Sequence, residues 1–175
     1  SDLGEAARQV ARRLEALGHD LREVRPLGGS LEEFLPIYQR MAADAPVVRD
    51  ALLQPLTRWL RREGRRHLRD EVLRRRDALG ARTLAWFGDL DVLVTPTVPV
   101  PPPRVGEFAG LPPEEAFRRA SVLGAFTALC NLSGQPAISV PAGLASGLPV
   151  GVQLIGRLHG DATLLSLARQ LEAAS

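Results

Sequence analysis

Residues 131–156 read NLSGQPAISVPAGLASGLPVGVQLIG. Two apolar runs, 137–140 and 150–155, are separated by proline, glycine and the four-residue stretch Leu144, Ala145, Ser146, Gly147, which is the pattern of a β-hairpin with LASG as its turn. Downstream, Leu164, Leu167, Ala168 and Leu171 recur at helical spacing behind Asp161, so a final helix capped by Asp161 and buried along that stripe is expected. Ser133 and Ser139 flank the first strand and raise the question of a nucleophile. A serine hydroxyl attacks only with a general base within hydrogen-bond reach. Neither serine has a histidine or lysine nearby in sequence, and both read as structural. Gly134 is expected to permit the tight turn into the strand.

Upstream of the hairpin, residues 91–95 form a short apolar run suited to a buried strand, and the prolines from Pro96 to Pro103 end any ladder there. Pro112, Pro113, Glu114 and Glu115 open a helix expected over 114–129, closing near Asn131. The chain begins with a helix marked by Ala7, Val10, Leu14 and Leu17, stopped at Gly18 and followed by a short strand to Val24. Ser30, with Glu33 three residues on, matches a capping box that opens the next helix.

Residues 47–87 are mostly helical in pattern and strongly basic in the middle. Nine arginines lie between Arg58 and Arg76, against Glu63, Asp70 and Glu71. Aromatic platforms are lacking beyond Trp59, and the formal net charge of the 175-residue chain is only +2, so a solvated helix face is expected there and no nucleic-acid partner.

All 22 basic residues counted as Lys+Arg are arginine. The single Cys130 excludes an intramolecular disulfide, reads as a small buried hydrophobe, and makes a reducing, cytoplasmic setting the expectation. No apolar run approaches the roughly 20 residues that span a bilayer, so no membrane partner is expected. His19, His67 and His159 are too dispersed for a zinc motif, and His159 with Asp161 reads as loop and cap rather than as part of a triad. The chain opens at Ser1 without an initiator methionine, as if upstream sequence had been removed.

Three segments taken together, DVLVTPTVP (91–99), NLSGQPAISVPAG (131–143) and GLPVGVQLIGRLHGDATLLSLARQLE (147–172), resemble the C-terminal half of amidase signature family enzymes. The resemblance covers essentially the whole chain. It implies an α/β fold, a mixed β-sheet covered by helices on both faces, to which this chain contributes strands near Leu21, Asp91, Ala137 and Val150. It also implies amide hydrolysis through a serine acyl-enzyme, with neither metal nor organic cofactor. The family's two catalytic serines and its lysine belong to an N-terminal half that residues 1–175 do not resemble, so no catalytic residue is expected here. The expected partners are a small-molecule amide and the N-terminal half of the same enzyme.

Ser121, Gly124 and Ala128 fall at i, i+3 and i+7 and share one helix face. All three are small, which suits close packing; in related amidases the matching positions wall the acyl pocket, and these three are the expected substrate-binding residues. The glutamyl-tRNA amidotransferase subunit that releases ammonia from glutamine typically carries an acidic residue where this chain has Gly124, which favours a general amidase. Rivals from other classes are a freestanding, non-catalytic binding domain using the proline loop and an RNA-associated module using the arginine-rich helix.

Overall fold

The computed structural model describes residues 2–174. Its centre is a three-stranded antiparallel sheet of β1 (Val92–Pro96), β2 (Ala137–Ala145) and β3 (Leu148–Gly156), in the order β1-β3-β2. The hairpin turn is tighter than the LASG stretch: Ala145 pairs with Leu148, and only Ser146 and Gly147 turn, at φ +52° and +79°. Two successive positive φ values match the right-handed twist of the strands they join. A register shift between Pro141 and Leu144 carries β2 beyond the expected end at Val140. Pro141 is tolerated because β2 is an edge strand.

Side chains alternate across the sheet. One face carries Val92, Val94, Ile138, Val140, Val152 and Leu154, packed under α1 (Asp2–Ala16) and α7 (Asp161–Ala173). The stripe expected on α7 is buried at all four positions, facing Ala6, Val10 and Leu14 of α1. The other face carries Leu93 and Ile155 against Phe87 and Cys130, which lie on α4 (Arg69–Phe87) and α6 (Thr127–Ser133). Helices therefore cover both faces, as expected, but within this chain the sheet is antiparallel rather than mixed. The expected strand at Leu21–Val24 does not form: residues 19–30 carry no regular structure and find no ladder partner among the described residues.

The basic middle of the chain folds as α2 (Leu31–Asp44), a 3-10 turn (Asp50–Leu52), α3 (Pro55–Gly64) and α4. Ser30 N-caps α2, and the Glu33 carboxylate accepts the Ser30 N–H at 3.2 Å. Arg61 departs from the solvated face expected for this segment. It is buried, donating from Nε to Asp50 Oδ1 at 2.9 Å and from Nη1 to the carbonyls of Ala45 (2.8 Å) and Ala42, so one guanidinium ties the C-terminal end of α2 to α3. Asp161 is the first residue of α7 rather than its cap; Gly160 holds the cap position after His159, whose φ is +62°. An acid in the first turn still favours the helix dipole.

Most exposed arginines have an acidic neighbour, and these pairs set the acid response. Arg65, with Arg61 behind it, holds Asp50 below the usual carboxylate range. Arg40 does the same for Asp44, Arg62 for Glu63, and Arg82 for Glu33. A depressed folded-state pKa means that the unfolded chain takes up protons first, so this stability is fully present above the ordinary carboxylate pKa and is lost as pH falls through the folded value. The urea midpoint is expected to be flat from about pH 8 to about pH 5 and to fall between about pH 4.5 and pH 3. A midpoint unchanged down to pH 3 would show that the pairs contribute nothing. Apart from the contact of buried Arg61 with Asp50, each pair is exposed, so each contribution is small.

Candidate functional site

A groove of about 1970 Å³ runs beside β1 and between α1, α4, α6, α7 and the irregular segment 19–30. That segment is strapped across α4 by Trp86 Nε1, which donates to Arg25 O at 3.0 Å, and by Arg82, which donates to the Glu33 carboxylate at 3.0 Å and to Gly28 O at 3.4 Å.

The groove's aromatic end is built by α2 and α5 (Pro113–Ser121). Phe34 and Tyr38, four residues apart on α2, line it together with Phe117 of α5. Tyr38 meets Phe117 edge-on at 6.1 Å between ring centroids, and Trp59 of α3 backs Phe117 at 5.9 Å. Such geometry locks rings that would otherwise swing into the groove. Partial burial pushes the Tyr38 hydroxyl above its ordinary pKa.

Ser121, Gly124 and Ala128 all line this groove. The helix expected over 114–129 is not continuous: α5 ends at Ser121, a 3-10 turn covers Val122–Gly124, and α6 begins at Thr127. Gly124 and Thr127 weaken helical propensity at the break, and Ala125 N–H bonds Val122 O instead of the carbonyl four residues back. The three small residues are therefore divided between α5, the 3-10 turn and α6 instead of sharing the face of one helix. Ser121 Oγ is occupied by its own helix, donating to Arg118 O at 2.8 Å. Ala128 is buried. A Cβ on Gly124 would meet only Thr127 Oγ1, at 3.7 Å, so a side chain there would extend into free space.

The other polar candidates have structural partners. Ser133 Oγ lies 3.0 Å from Leu129 O and 2.9 Å from Gln135 Oε1, while Gln135 Nε2 donates to Gly156 O at 2.8 Å. Ser139 Oγ shares a hydrogen bond with Thr97 Oγ1 at 2.7 Å above Gly151, where a Cβ would come within 2.5 Å of the serine oxygen. His19 bonds Gln170 and His67 bonds Gln39. Cys130 is buried, and burial pushes its thiol pKa up. Among the described residues no cluster of three His, Cys, Asp or Glu is placed to hold a metal, and no helix is long and apolar enough to cross a membrane. The aromatic lining by Phe34, Tyr38 and Phe117 was not foreseen; Phe34 and Tyr38 at i and i+4 were a readable signal, and the meeting of Tyr38 with Phe117 was not.

A family model described as Amidase matches residues 1–165. The 6-aminohexanoate-cyclic-dimer hydrolase of Paenarthrobacter ureafaciens is 32% identical over 195 aligned positions, covering 97% of this chain and 39% of that protein. A glutamyl-tRNA(Gln) amidotransferase subunit of Halobacterium salinarum is 45% identical over 86 residues, 49% of this chain and 19% of its own length. A solved structure of 6-aminohexanoate cyclic dimer hydrolase complexed with substrate superposes with a TM-score of 0.80 at 28% identity, over 97% of this chain and 40% of that one. Residues 1–175 thus span about two-fifths of the length of full-length relatives. With residues 1–165 matched by the family model, the chain belongs to the amidase signature family.

Proposed function

We propose that the chain is the C-terminal portion of an amide hydrolase and forms the wall of its acyl pocket, with Ser121, Gly124 and Ala128 as substrate-binding residues. The observation that supports this reading is that the three small residues line the same groove as Tyr38 and Phe117. The nucleophile and its lysine base lie on sequence outside residues 1–175, which contain no lysine. The substrate's acyl group packs against Tyr38, Phe117 and Gly124 while the outside residues form and hydrolyse the acyl-enzyme.

The absence of an acidic side chain at Gly124 supports a general amidase over the amidotransferase, since an α-amino group would find no anion there. The 45% identity to the amidotransferase protein is confined to 49% of the chain.

The test is Gly124→Leu in the family-length enzyme. It is expected to lower kcat/KM for a long acyl amide by about 10–100-fold while sparing a short one, because pocket discrimination runs at about 1–3 kcal/mol per methylene. An equal loss for both substrates with a lowered Tm would mean that this face only packs. The 175-residue chain alone is expected to hydrolyse neither, and turnover surviving repurification would overturn the assignment of catalysis to sequence outside it.

A further inference from the structure

We propose that the Tyr38 hydroxyl is a specificity determinant of the groove, donating a hydrogen bond to an uncharged acceptor, a carbonyl or ether oxygen, carried by the acyl group of the substrate. The inference rests on the acyl-pocket reading above and adds to it a polar recognition point that the small residues do not supply.

Polar groups are scarce at this end of the groove. Among the lining residues that α2, α3 and positions 117–132 contribute, the side chains with a polar atom are Tyr38 and Ser121. Ser121 is engaged by its own helix, with Oγ donating to Arg118 O at 2.8 Å. The Tyr38 hydroxyl has no hydrogen-bond partner among the described residues. Charge is committed as well. Arg82 is paired with Glu33 at 3.0 Å, and Arg118, next to Phe117 in sequence, is paired with Glu32 at 2.9 Å and Glu114 at 3.4 Å. Neither guanidinium is left to hold a carboxylate, so an uncharged acceptor is the class of group that fits.

The ring is held in place while its polar end is left open. Tyr38 follows Phe34 by one turn of α2 and meets Phe117 edge-on at 6.1 Å, with Trp59 behind Phe117 at 5.9 Å. A hydroxyl on a ring already fixed by its neighbours gives up little freedom when it bonds a ligand. Tyr38 is nevertheless 37% exposed, so the fixed ring is not packed away from the groove. Partial burial, with a further contribution from Cys130, pushes its pKa up, and at neutral pH the group is a donor.

These features separate one occupant from another. In the open groove, water hydrates the hydroxyl. An acyl group that fills the space displaces that water. A hydrocarbon leaves the donor without a partner between apolar walls, whereas a correctly placed oxygen restores the bond. Sites built around such a donor reject the analogue lacking the acceptor more strongly than a pocket rejects one extra methylene.

The test uses the family-length enzyme and four probes, meta- and para-acetylbenzamide and their isopropyl isosteres, in which a methyl group replaces the ketone oxygen. For at least one pair kcat/KM is expected to favour the acetyl compound by about 10-fold or more, and Tyr38→Phe to bring that ratio to about 1–2, with the change carried by KM. Where turnover is slow, the inhibition constants of the same compounds give the ratio. Phenylalanine keeps the ring contact with Phe117, so the Tm is expected to stay within about 2 °C. No preference for either acetyl compound, or a preference that survives Tyr38→Phe, would overturn the proposal. So would a Tm lowered by about 5 °C or more, because the hydroxyl would then be bonded within the long polypeptide and not offered to a ligand. An unchanged ratio in Tyr38→Phe beside a Gly124→Leu that discriminates by acyl length would remove the hydrogen bond and keep the pocket. A ratio lost in Tyr38→Phe beside an unselective Gly124→Leu would keep the hydrogen bond and remove the small residues from the site.

Discussion

Gly64→Ala is expected to destabilise the protein by about 3 kcal/mol, read as a lowered urea midpoint with an unchanged slope. The sign is the informative part. Gly64 closes α3 in helical conformation, where alanine should be favoured over glycine by up to about 1 kcal/mol. Its backbone, however, lies against α2: a Cβ would sit 1.9 Å from Gln39 O, 2.4 Å from Gln39 C and 3.0 Å from Ala43 Cβ. Those first two atoms are main chain in the middle of a helix and cannot swing aside. The helices would have to part by more than an ångström, drawing Arg61 away from the Ala42 and Ala45 carbonyls and moving Trp59 behind Phe117. A neutral or stabilising Gly64→Ala would show that α2 and α3 are not in this contact.

Leu154→Ala is expected to cost about 3–4 kcal/mol, measured in the same way. Leu154 is 0% exposed in the central strand, opposite Val94 on one side and Ile138 on the other, within the cluster that α1 and α7 cover. No neighbour can close over the gap without breaking a ladder, so the cavity should persist. Leu144→Ala, at 71% exposure on the same hairpin, is the control and is expected to change stability by less than about 0.5 kcal/mol. Similar losses at both positions would mean that the hairpin's buried face has been misassigned.

The parts of this fold legible in the sequence were those specified by neighbours along the chain. The hairpin was readable because two short apolar runs and the Gly-containing LASG stretch between them are local, although the turn itself narrows to Ser146 and Gly147, and the α7 stripe because Leu164, Leu167, Ala168 and Leu171 repeat at helical spacing. The failures were decided elsewhere. Leu21–Val24 reads LREV, with Arg22 and Glu23 between its two apolar residues; a strand there needs a partner, and none of the described strands reaches it. Arg61 reads like the eight arginines around it; only the fold brings the end of α2 over its guanidinium. The break between α5 and α6 lay within reach of propensity at Gly124, but the helix over 114–129 was read from its Pro-Pro-Glu-Glu start alone. The spacing of Ser121, Gly124 and Ala128 was legible as a small-residue pattern, and the structure places all three along the groove. The aromatic end was not legible, because Tyr38 and Phe117 are distant in sequence.

The buried Cys130 gives the molecule an internal clock. Its thiol lies between Phe87 and Ile155, on the face of the sheet away from α1 and α7, with Sγ donating to Thr127 O at 3.1 Å. No other cysteine competes for a label. A maleimide can reach the sulfur only when α6 lifts from the sheet, so the alkylation rate reports that one opening and is indifferent to fraying at α1 or the hairpin tip. Labelling that keeps pace with global unfolding would place α6 in the last cooperative unit to open, and faster labelling would identify the groove wall as a part that moves by itself.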